Sequence, residues 1–338
     1  MTRVIVALAG GVGAARMLSA LSAVVDPASL TAVVNTGDDT VLHGLAISPD
    51  LDTVVYTLAG AINADTGWGL TDETWRAMET LRAYGGERLA WFNLGDRDLG
   101  THLYRTSRLA EGATLSTVTA EIARMWGLSL RILPMSDDRV ATRVTVPVTG
   151  ADERVRPPVD QTVEAAVEET VEEIGFQEYF VARRHAVSVR AVRLEGIEAA
   201  KPAPDVLASI ASAEGVVICP SNPIVSIAPV LAVDGLGAAV SGRREQVVGV
   251  SPIIAGRALK GPADRLLAEL GHEPSVVGVA RLWAPYAATL VVDPADEDRA
   301  GDVEAAGMRC VVAPSIMSTP DAAAALGRTV LDALGVRP

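Results

Sequence analysis

The chain has 338 residues, of which 49% are hydrophobic and only 4% aromatic, and its formal net charge at pH 7 is −13. This acidic balance argues against nucleic acid as a partner, because proteins bind polyanions through clustered lysine and arginine. No apolar run approaches the ~18 residues of a membrane span, so we expect a soluble protein with no membrane partner. The length has room for roughly two domains of about 150 residues each.

The two cysteines bear on the cellular compartment. Cys219 and Cys310 each lie at the end of an apolar, strand-like run, which favours buried structural thiols over a reactive pair. The first residues enter a strand directly and show no signal-peptide pattern. We therefore expect a cytoplasmic protein with reduced thiols.

Strand and helix signals alternate along most of the chain. Residues 4–8 form an apolar run, a glycine-rich turn follows, residues 14–25 have the pattern of a helix, and residues 31–34 of a second strand. Later strands are predicted at 216–219, 246–250, 290–292 and 309–312, and later helices at 264–270, 296–306 and 320–334. The alternation predicts an α/β fold with a Rossmann-like, doubly wound, mainly parallel sheet.

Two segments differ from this pattern. Residues 52–126 form a helical middle segment that carries four of the five tryptophans. Residues 140–195 predict a small inserted β/α substructure, with a strand at 142–146 and an amphipathic helix across 160–174, whose apolar face is Val163, Val167, Val171 and Ile174. We therefore predict a nucleotide-binding core of residues 1–139 and 196–338, which includes the helical segment, and an insertion at 140–195.

A glycine-rich turn, Gly10, Gly11 and Gly13, joins the first strand to the first helix. Glycine allows backbone N–H groups at a helix N-terminus to approach a phosphate, although the same residues could merely tighten the turn. In a dinucleotide fingerprint starting at Gly11 the third glycine falls on Arg16, and the second strand is followed by Asn35 in place of a carboxylate. These departures disfavour an NAD-dependent dehydrogenase, and no Walker pattern follows the turn.

Carboxylates follow the second strand and open the next predicted helix. Asp38 belongs to N-T-G-D-D, and Asp52 to S-P-D-L-D-T, where it could instead serve as a helix N-cap. Several carboxylates beside a phosphate loop would repel the ligand unless a divalent cation lay between them. Mg²⁺ is the natural candidate, because it prefers oxygen ligands and bridges phosphates.

Two further loops carry groups suited to ligands. Asp96 and Arg97 lie in a charged loop, where the guanidinium could clamp a phosphate or only pair with its neighbours. Ser221, Asn222 and Ser226 follow a predicted strand and offer an amide and hydroxyls to a base or ribose.

Seven short motifs follow one another along the chain. They are G-G-x-G at 10–13, N-T-G-D-D at 35–39, S-P-D-L-D-T at 48–53, L-G-D-R-D at 94–98, L-P-M-S-D-D at 133–138, P-S-N-P-I at 220–224 and S-P-I-I-A-G at 251–256. Together they closely resemble the 2-phospho-L-lactate transferase family (CofD/FbiA) of coenzyme F-420 biosynthesis, from residue 3 to about residue 325.

The resemblance implies a homodimeric, Mg²⁺-dependent transferase. Such enzymes move a phosphoenolpyruvate or 2-phospho-L-lactate moiety from a guanosine-diphosphate-linked donor to the ribityl hydroxyl of the deazaflavin Fo, and GMP leaves. Trp91-Phe92 and Trp68-Gly69 resemble the branch that favours phosphoenolpyruvate. Carried over to this sequence, the implied site residues are Gly10, Gly11 and Gly13 for the diphosphate; Asn35, Gly37, Ser221, Asn222 and Ser226 for the guanosine side; Asp38 and Asp52 for the metal; Asp38, Asp52 and Arg97 for catalysis; and Asp52, Asn93, Trp68 and Asp96 for Fo.

One alternative from another functional class stays open. Non-enzymatic nucleotide-sugar-binding regulators of the gluconeogenesis-factor type share the glycine-rich start and an aspartate pair after the second strand. Those proteins continue with a Gly-Gly-Ser-Ser type of run, whereas residues 40–44 here are T-V-L-H-G. The sequence therefore favours the transferase.

Overall fold

The computed structural model of the chain describes residues 4–148 and 170–336. Its strands are β1 Ile5–Ala9, β2 Leu30–Val34, β3 Thr40–Leu42, β4 Leu45–Ile47, β5 Arg131–Pro134, β6 Ala141–Pro147, β7 Val171–Gly175, β8 Ala191–Glu195, β9 Gly215–Ile218, β10 Val247–Val250, β11 Ile253–Ile254, β12 Arg257–Ala258, β13 Thr289–Val292 and β14 Arg309–Val312. Its α-helices are α1 Gly11–Ser22, α2 Pro49–Leu58, α3 Arg76–Gly85, α4 Glu87–Ala90, α5 Asp98–Ala110, α6 Leu115–Met125, α7 Val206–Ser212, α8 Ala228–Ala232, α9 Leu236–Ser241, α10 Ala263–Glu269, α11 Val276–Trp283, α12 Ala300–Ala305 and α13 Pro320–Leu334.

Seven strands form one parallel sheet in the order β14-β13-β10-β9-β1-β2-β5. The strand order reverses direction beside β1, where β9 pairs with one edge of β1 and β2 with the other. The predicted doubly wound, mainly parallel α/β fold is therefore confirmed. In such sheets, ligands bind outside the carboxyl ends of the strands at this reversal point.

Alternate residues of the central strands supply two cores, one on each face of the sheet. Along β1, Val6 and Leu8 join the core beneath α7 to α12, whereas Ile5 and Ala7 join the core beneath α1, α2, α6 and α13. Burial on both faces explains why these strands are apolar along their whole length. No described helix is both long and apolar enough to cross a membrane.

The segment 140–195 contains a separate antiparallel sheet in the order β7-β6-β8. The predicted helix across 160–174 is wrong for its last residues, because residues 171–175 form β7, while Val163 and Val167 lie outside the described residues. Pairing with β6 places Ile174 opposite Val144, and both are buried. An apolar residue at 171 and another at 174 fit a helical spacing, but the long-range pairing with β6 decides the conformation.

Candidate functional site

A cavity of about 610 Å³ lies at the carboxyl ends of the central strands. Loops after β1, β2, β9, β10 and β14 line it, together with α2, the helical middle segment and the π-helical turn Glu178–Ala182 of the insertion. The predicted residues on its wall are Gly10, Gly11, Gly13, Asp38, Asp52, Trp68, Asn93, Ser221, Asn222 and Ser226. The other predicted residues, Asn35, Gly37, Asp96 and Arg97, do not line it.

The glycine turn lies where backbone segments approach closely. A Cβ on Gly13 would stand 2.1 Å from the carbonyl oxygen of Pro220, and one on Gly10 would stand 2.8 Å from Cβ of Ser226. Gly11 has a φ of +70°, which favours glycine. The turn therefore packs tightly against the loop after β9, and it presents the N-terminus of α1 to the cavity.

Asn35 and Gly37 lie behind the cavity wall. The amide of Asn35 donates to Oδ2 of Asp50 at 2.9 Å, and its Oδ1 accepts the N–H of Gly37 at 2.9 Å. A Cβ on Gly37 would stand 2.7 Å from Oγ1 of Thr142. The structure therefore places both residues where they fix the loop after β2 and orient Asp50.

The loop after β9 is tied to the glycine turn. The hydroxyl of Ser221 donates to the carbonyl of Gly10 at 2.8 Å. Oδ1 of Asn222 accepts the N–H groups of Ile224 and Val225, so its amide nitrogen is the group left for a ligand. Ser226 is buried and closes the floor beneath Gly10.

Three aspartates, Asp38, Asp50 and Asp52, are buried together beside the glycine turn, and the neighbouring Asp39 is half-buried. Burial raises the pKa of Asp38 well above its ordinary value, and the charges of Asp50 and Asp39 raise it further. Burial also raises the pKa of Asp39 well above the ordinary range. Oδ1 of Asp38 and Oδ1 of Asp39 have no hydrogen-bond partner among the described residues. Ionisation of Asp38 and Asp39 is therefore unfavourable in the absence of a neutralising cation.

Asp52 belongs to an ion-pair network that the sequence did not reveal. Its carboxylate accepts two hydrogen bonds from the guanidinium of Arg105, and both side chains are buried. His102 lies between the carboxylates of Asp52 and Asp98. Its Nδ1 is 3.8 Å from Asp52, and its Nε2 is 3.3 Å from Asp98. Tyr56 donates to Asp98 at 2.6 Å. The N-cap interpretation of Asp52 is wrong, since α2 begins at Pro49.

One spacing signal could have pointed to this network. Asp98, His102 and Arg105 are four and three residues apart, so they share one face of α5. That face packs towards Asp52, and ligand atoms of Asp52, Asp98 and His102 lie within 4.8 Å of one another. These three groups could also hold a metal ion.

Asp96 and Arg97 stabilise the local chain. The carboxylate of Asp96 accepts the hydroxyl of Thr74 at 2.5 Å and the N–H groups of Arg76 and Ala77 at 3.1 Å, which is an N-terminal cap of α3. These hydrogen bonds lower the pKa of Asp96. The guanidinium of Arg97 donates to the carbonyl of Thr71 at 2.7 Å. Neither side chain reaches the cavity wall.

Aromatic side chains line the cavity from two directions. Trp68 is 46% exposed and meets Trp75 edge to face, and Trp91 and Phe92 form a second such pair beside Asn93. The insertion adds Phe176 and Phe180, which stack with ring centroids 5.7 Å apart. The sequence did not point to these two phenylalanines, because their approach depends on how the insertion packs on the core.

The buried charge of Asp50 makes a prediction for stability against pH. Burial raises its pKa to about 6 from 3.8, although hydrogen bonds from Asn35 and Gly11 oppose this. The folded state therefore binds a proton more readily than the unfolded state, and the contribution of Asp50 to stability falls as pH rises through this window. We expect Asp50→Asn to gain stability relative to the wild type between about pH 4 and pH 6, and the difference to stay constant above. Urea unfolding midpoints of both proteins across this range measure it, and a difference independent of pH would contradict it.

The chain is similar to known proteins along most of its length. The family profile described as 2-phospho-L-lactate transferase CofD matches residues 5–309. Proteins called phosphoenolpyruvate transferase are similar over nearly the whole chain. The one from Streptomyces griseus is 44% identical over 97% of both chains, and the one from Mycolicibacterium smegmatis is 38% identical over 98% of this chain and 99% of its own.

Among solved structures, a Bacillus halodurans protein of the UPF0052 family has a TM-score of 0.56 and 15% identity over 98% of this chain and 99% of its own. A second structure of a protein from that organism has a TM-score of 0.58 and 14% identity, and covers 98% of this chain and all of its own. At these identities the likeness concerns the fold alone. The profile match and the curated relatives show that this chain belongs to the 2-phospho-L-lactate transferase CofD family.

Proposed function

We propose that this transferase moves a phosphoenolpyruvate moiety from a guanosine-diphosphate-linked donor to the ribityl hydroxyl of the deazaflavin Fo and releases GMP, a step in coenzyme F-420 biosynthesis. The observation that carries the proposal is one cavity bordered by a glycine turn, a cluster of buried carboxylates and aromatic walls. The relatives' name, phosphoenolpyruvate transferase, favours that acid over 2-phospho-L-lactate. A cytoplasmic homodimer remains an expectation from the family resemblance.

The carboxylate cluster fits a magnesium ion. Asp38 lines the cavity with a buried oxygen that has no partner among the described residues, and like charges surround it. A buried carboxylate in this state is unfavourable unless a cation or a proton neutralises it. Asp38 would be a ligand of the metal ion. Asp52 would be a second ligand, although its oxygens already accept hydrogen bonds from Arg105. When bound, Mg²⁺ would neutralise the diphosphate and polarise its phosphorus.

The residues can align the transfer without a covalent nucleophile. The acceptor hydroxyl attacks the phosphorus that bears the three-carbon acid, the phosphoanhydride bond breaks, and the electron pair leaves with GMP. The N-terminus of α1 would hold the diphosphate, and the buried carboxylate of Asp52 is the candidate acceptor of the hydroxyl proton. Such reactions depend mainly on alignment and charge neutralisation, which this arrangement supplies.

The proposed reaction can be tested directly. Incubation with Fo, Mg²⁺ and guanosine-diphosphate-linked phosphoenolpyruvate should yield GMP and an Fo phosphodiester in equal amounts, as measured by mass spectrometry. Omission of Mg²⁺ should abolish turnover, and addition of Mg²⁺ should restore it. If Fo neither binds nor reacts while the protein binds a nucleotide sugar, the regulator alternative replaces the transferase.

The exposed indole of Trp68 is expected to contact the planar ring of Fo. Aromatic walls bind planar ligands through large apolar contacts. Trp68→Ala should therefore weaken Fo binding by about tenfold, roughly 1.4 kcal/mol. Binding of guanosine diphosphate should change by less than twofold. Fluorescence titration with each ligand measures both values, and an equal loss for the two ligands would contradict this assignment.

A further inference from the structure

The cavity contains few permanent positive charges to balance an anionic donor. Among the described residues that line it, Arg16 and Lys260 are the arginine and lysine side chains. Neither forms an ion pair with a carboxylate in residues 4–148 or 170–336, and the hydrogen bond of Lys260 is a long one of 3.5 Å to the carbonyl of Thr66. The chain has only two lysines, and the other, Lys201, is ion-paired with Asp234 on the surface.

The side chain of Lys260 lies against the loop of Thr66 and Gly67. It lies between β12 and α10, in a loop distant in sequence from both the turn and Thr66. The position of a Cβ on Gly67 would be 2.7 Å from Nζ of Lys260 and 3.6 Å from Cγ1 of Val12, a residue of the turn. Nζ of Lys260 and the side chain of Val12, the second residue of α1, therefore border the same space beside Gly67, and a side chain at position 67 would displace the ammonium group.

We propose that Lys260 binds an oxyanion of the donor, either a phosphate oxygen or the carboxylate of the three-carbon acid. The inference rests on the proposed function and adds a residue that selects for the anionic donor. An exposed ammonium on the cavity wall with no carboxylate partner among the described residues attracts such a group, whereas the ionised forms of the buried Asp38 and Asp50 would repel it. Gly67 then serves to leave room for the ammonium group.

Substitution of each lysine tests the proposal. Lys260→Met keeps most of the unbranched side chain and removes the charge, and Lys201→Met is the matched control. We expect Lys260→Met to lower the affinity for the guanosine-diphosphate-linked acid by at least tenfold in calorimetry, whereas the affinity of Lys201→Met should stay within twofold of the wild type. If the affinity for guanosine diphosphate falls equally, Lys260 binds a phosphate. If only the affinity for the complete donor falls, Lys260 binds the carboxylate. Unchanged affinities for both ligands would overturn the proposal.

Two further measurements separate the possible failures. Reductive methylation followed by mass spectrometry should show protection of Lys260, but not Lys201, by saturating donor. Gly67→Ala should lower the affinity for the same ligand as Lys260→Met does. Gly60 has a similar positive φ but free space around it, so Gly60→Ala should leave that affinity unchanged. A wild type that binds no guanosine diphosphate would overturn the proposed function itself, whereas a wild type that binds it without protecting Lys260 would overturn this inference alone.

Discussion

Asp38→Asn is expected to lower turnover by about 100-fold or more, equivalent to about 2.7 kcal/mol of transition-state stabilisation, without loss of folding. Asp38 lines the cavity, and its buried Oδ1 has no hydrogen-bond partner among the described residues. Asparagine keeps the shape of the side chain but removes the charge that would hold Mg²⁺. Steady-state rates at several Mg²⁺ concentrations measure the effect.

The stability of the same variant distinguishes a metal ligand from a structural residue. Burial and the neighbouring charges of Asp50 and Asp39 raise the pKa of Asp38, so its ionised form is unfavourable in the metal-free protein. Neutralisation should therefore leave the free energy of unfolding unchanged or increase it in the absence of Mg²⁺. The wild type should gain stability on Mg²⁺ addition and the variant should not. An active variant, or one that still gains stability from Mg²⁺, would remove Asp38 from the metal site.

The fold was predictable because its signals are local. Continuous apolar runs, such as that of β1, and the glycine turn after it specify parallel strands buried on both faces. Loops after separate strands line one cavity, and the loop after β9 contacts the glycine turn through Ser221 and Gly10. Carboxyl ends of parallel strands share one edge, so distant loops converge there whatever their separation in sequence.

The individual site residues were less predictable, because their roles depend on tertiary partners. Asp96 caps α3, about twenty residues earlier in the chain, although its motif suggested a ligand contact. Arg105 is buried, whereas an arginine on an amphipathic helix is normally solvated. Nothing in its own sequence neighbourhood shows that Asp52 lies opposite. The stacked Phe176 and Phe180 reach the cavity only because the inserted sheet packs on the core.

Asp52→Asn should behave differently from Asp38→Asn, although the chemical change is the same. Asp52 is paired through two hydrogen bonds with Arg105, and both side chains are almost fully buried. Removal of one partner leaves a buried guanidinium without its counter-charge, and such losses amount to about 3 to 5 kcal/mol. We therefore expect Asp52→Asn to lose both stability and turnover. Urea unfolding and steady-state rates measure the two losses.

A double-mutant cycle shows whether the pair acts as a unit. Arg105→Met should also be destabilising, since it leaves a buried carboxylate, and the double variant should recover part of the loss with a coupling of about 1 to 3 kcal/mol. The exposed pair of Lys201 and Asp234 is the matched control, and Asp234→Asn should change stability by less than about 0.5 kcal/mol. The double variant should remain inactive if Asp52 accepts the hydroxyl proton, because restored packing supplies no carboxylate. A stable double variant with wild-type turnover would limit Asp52 to a structural role.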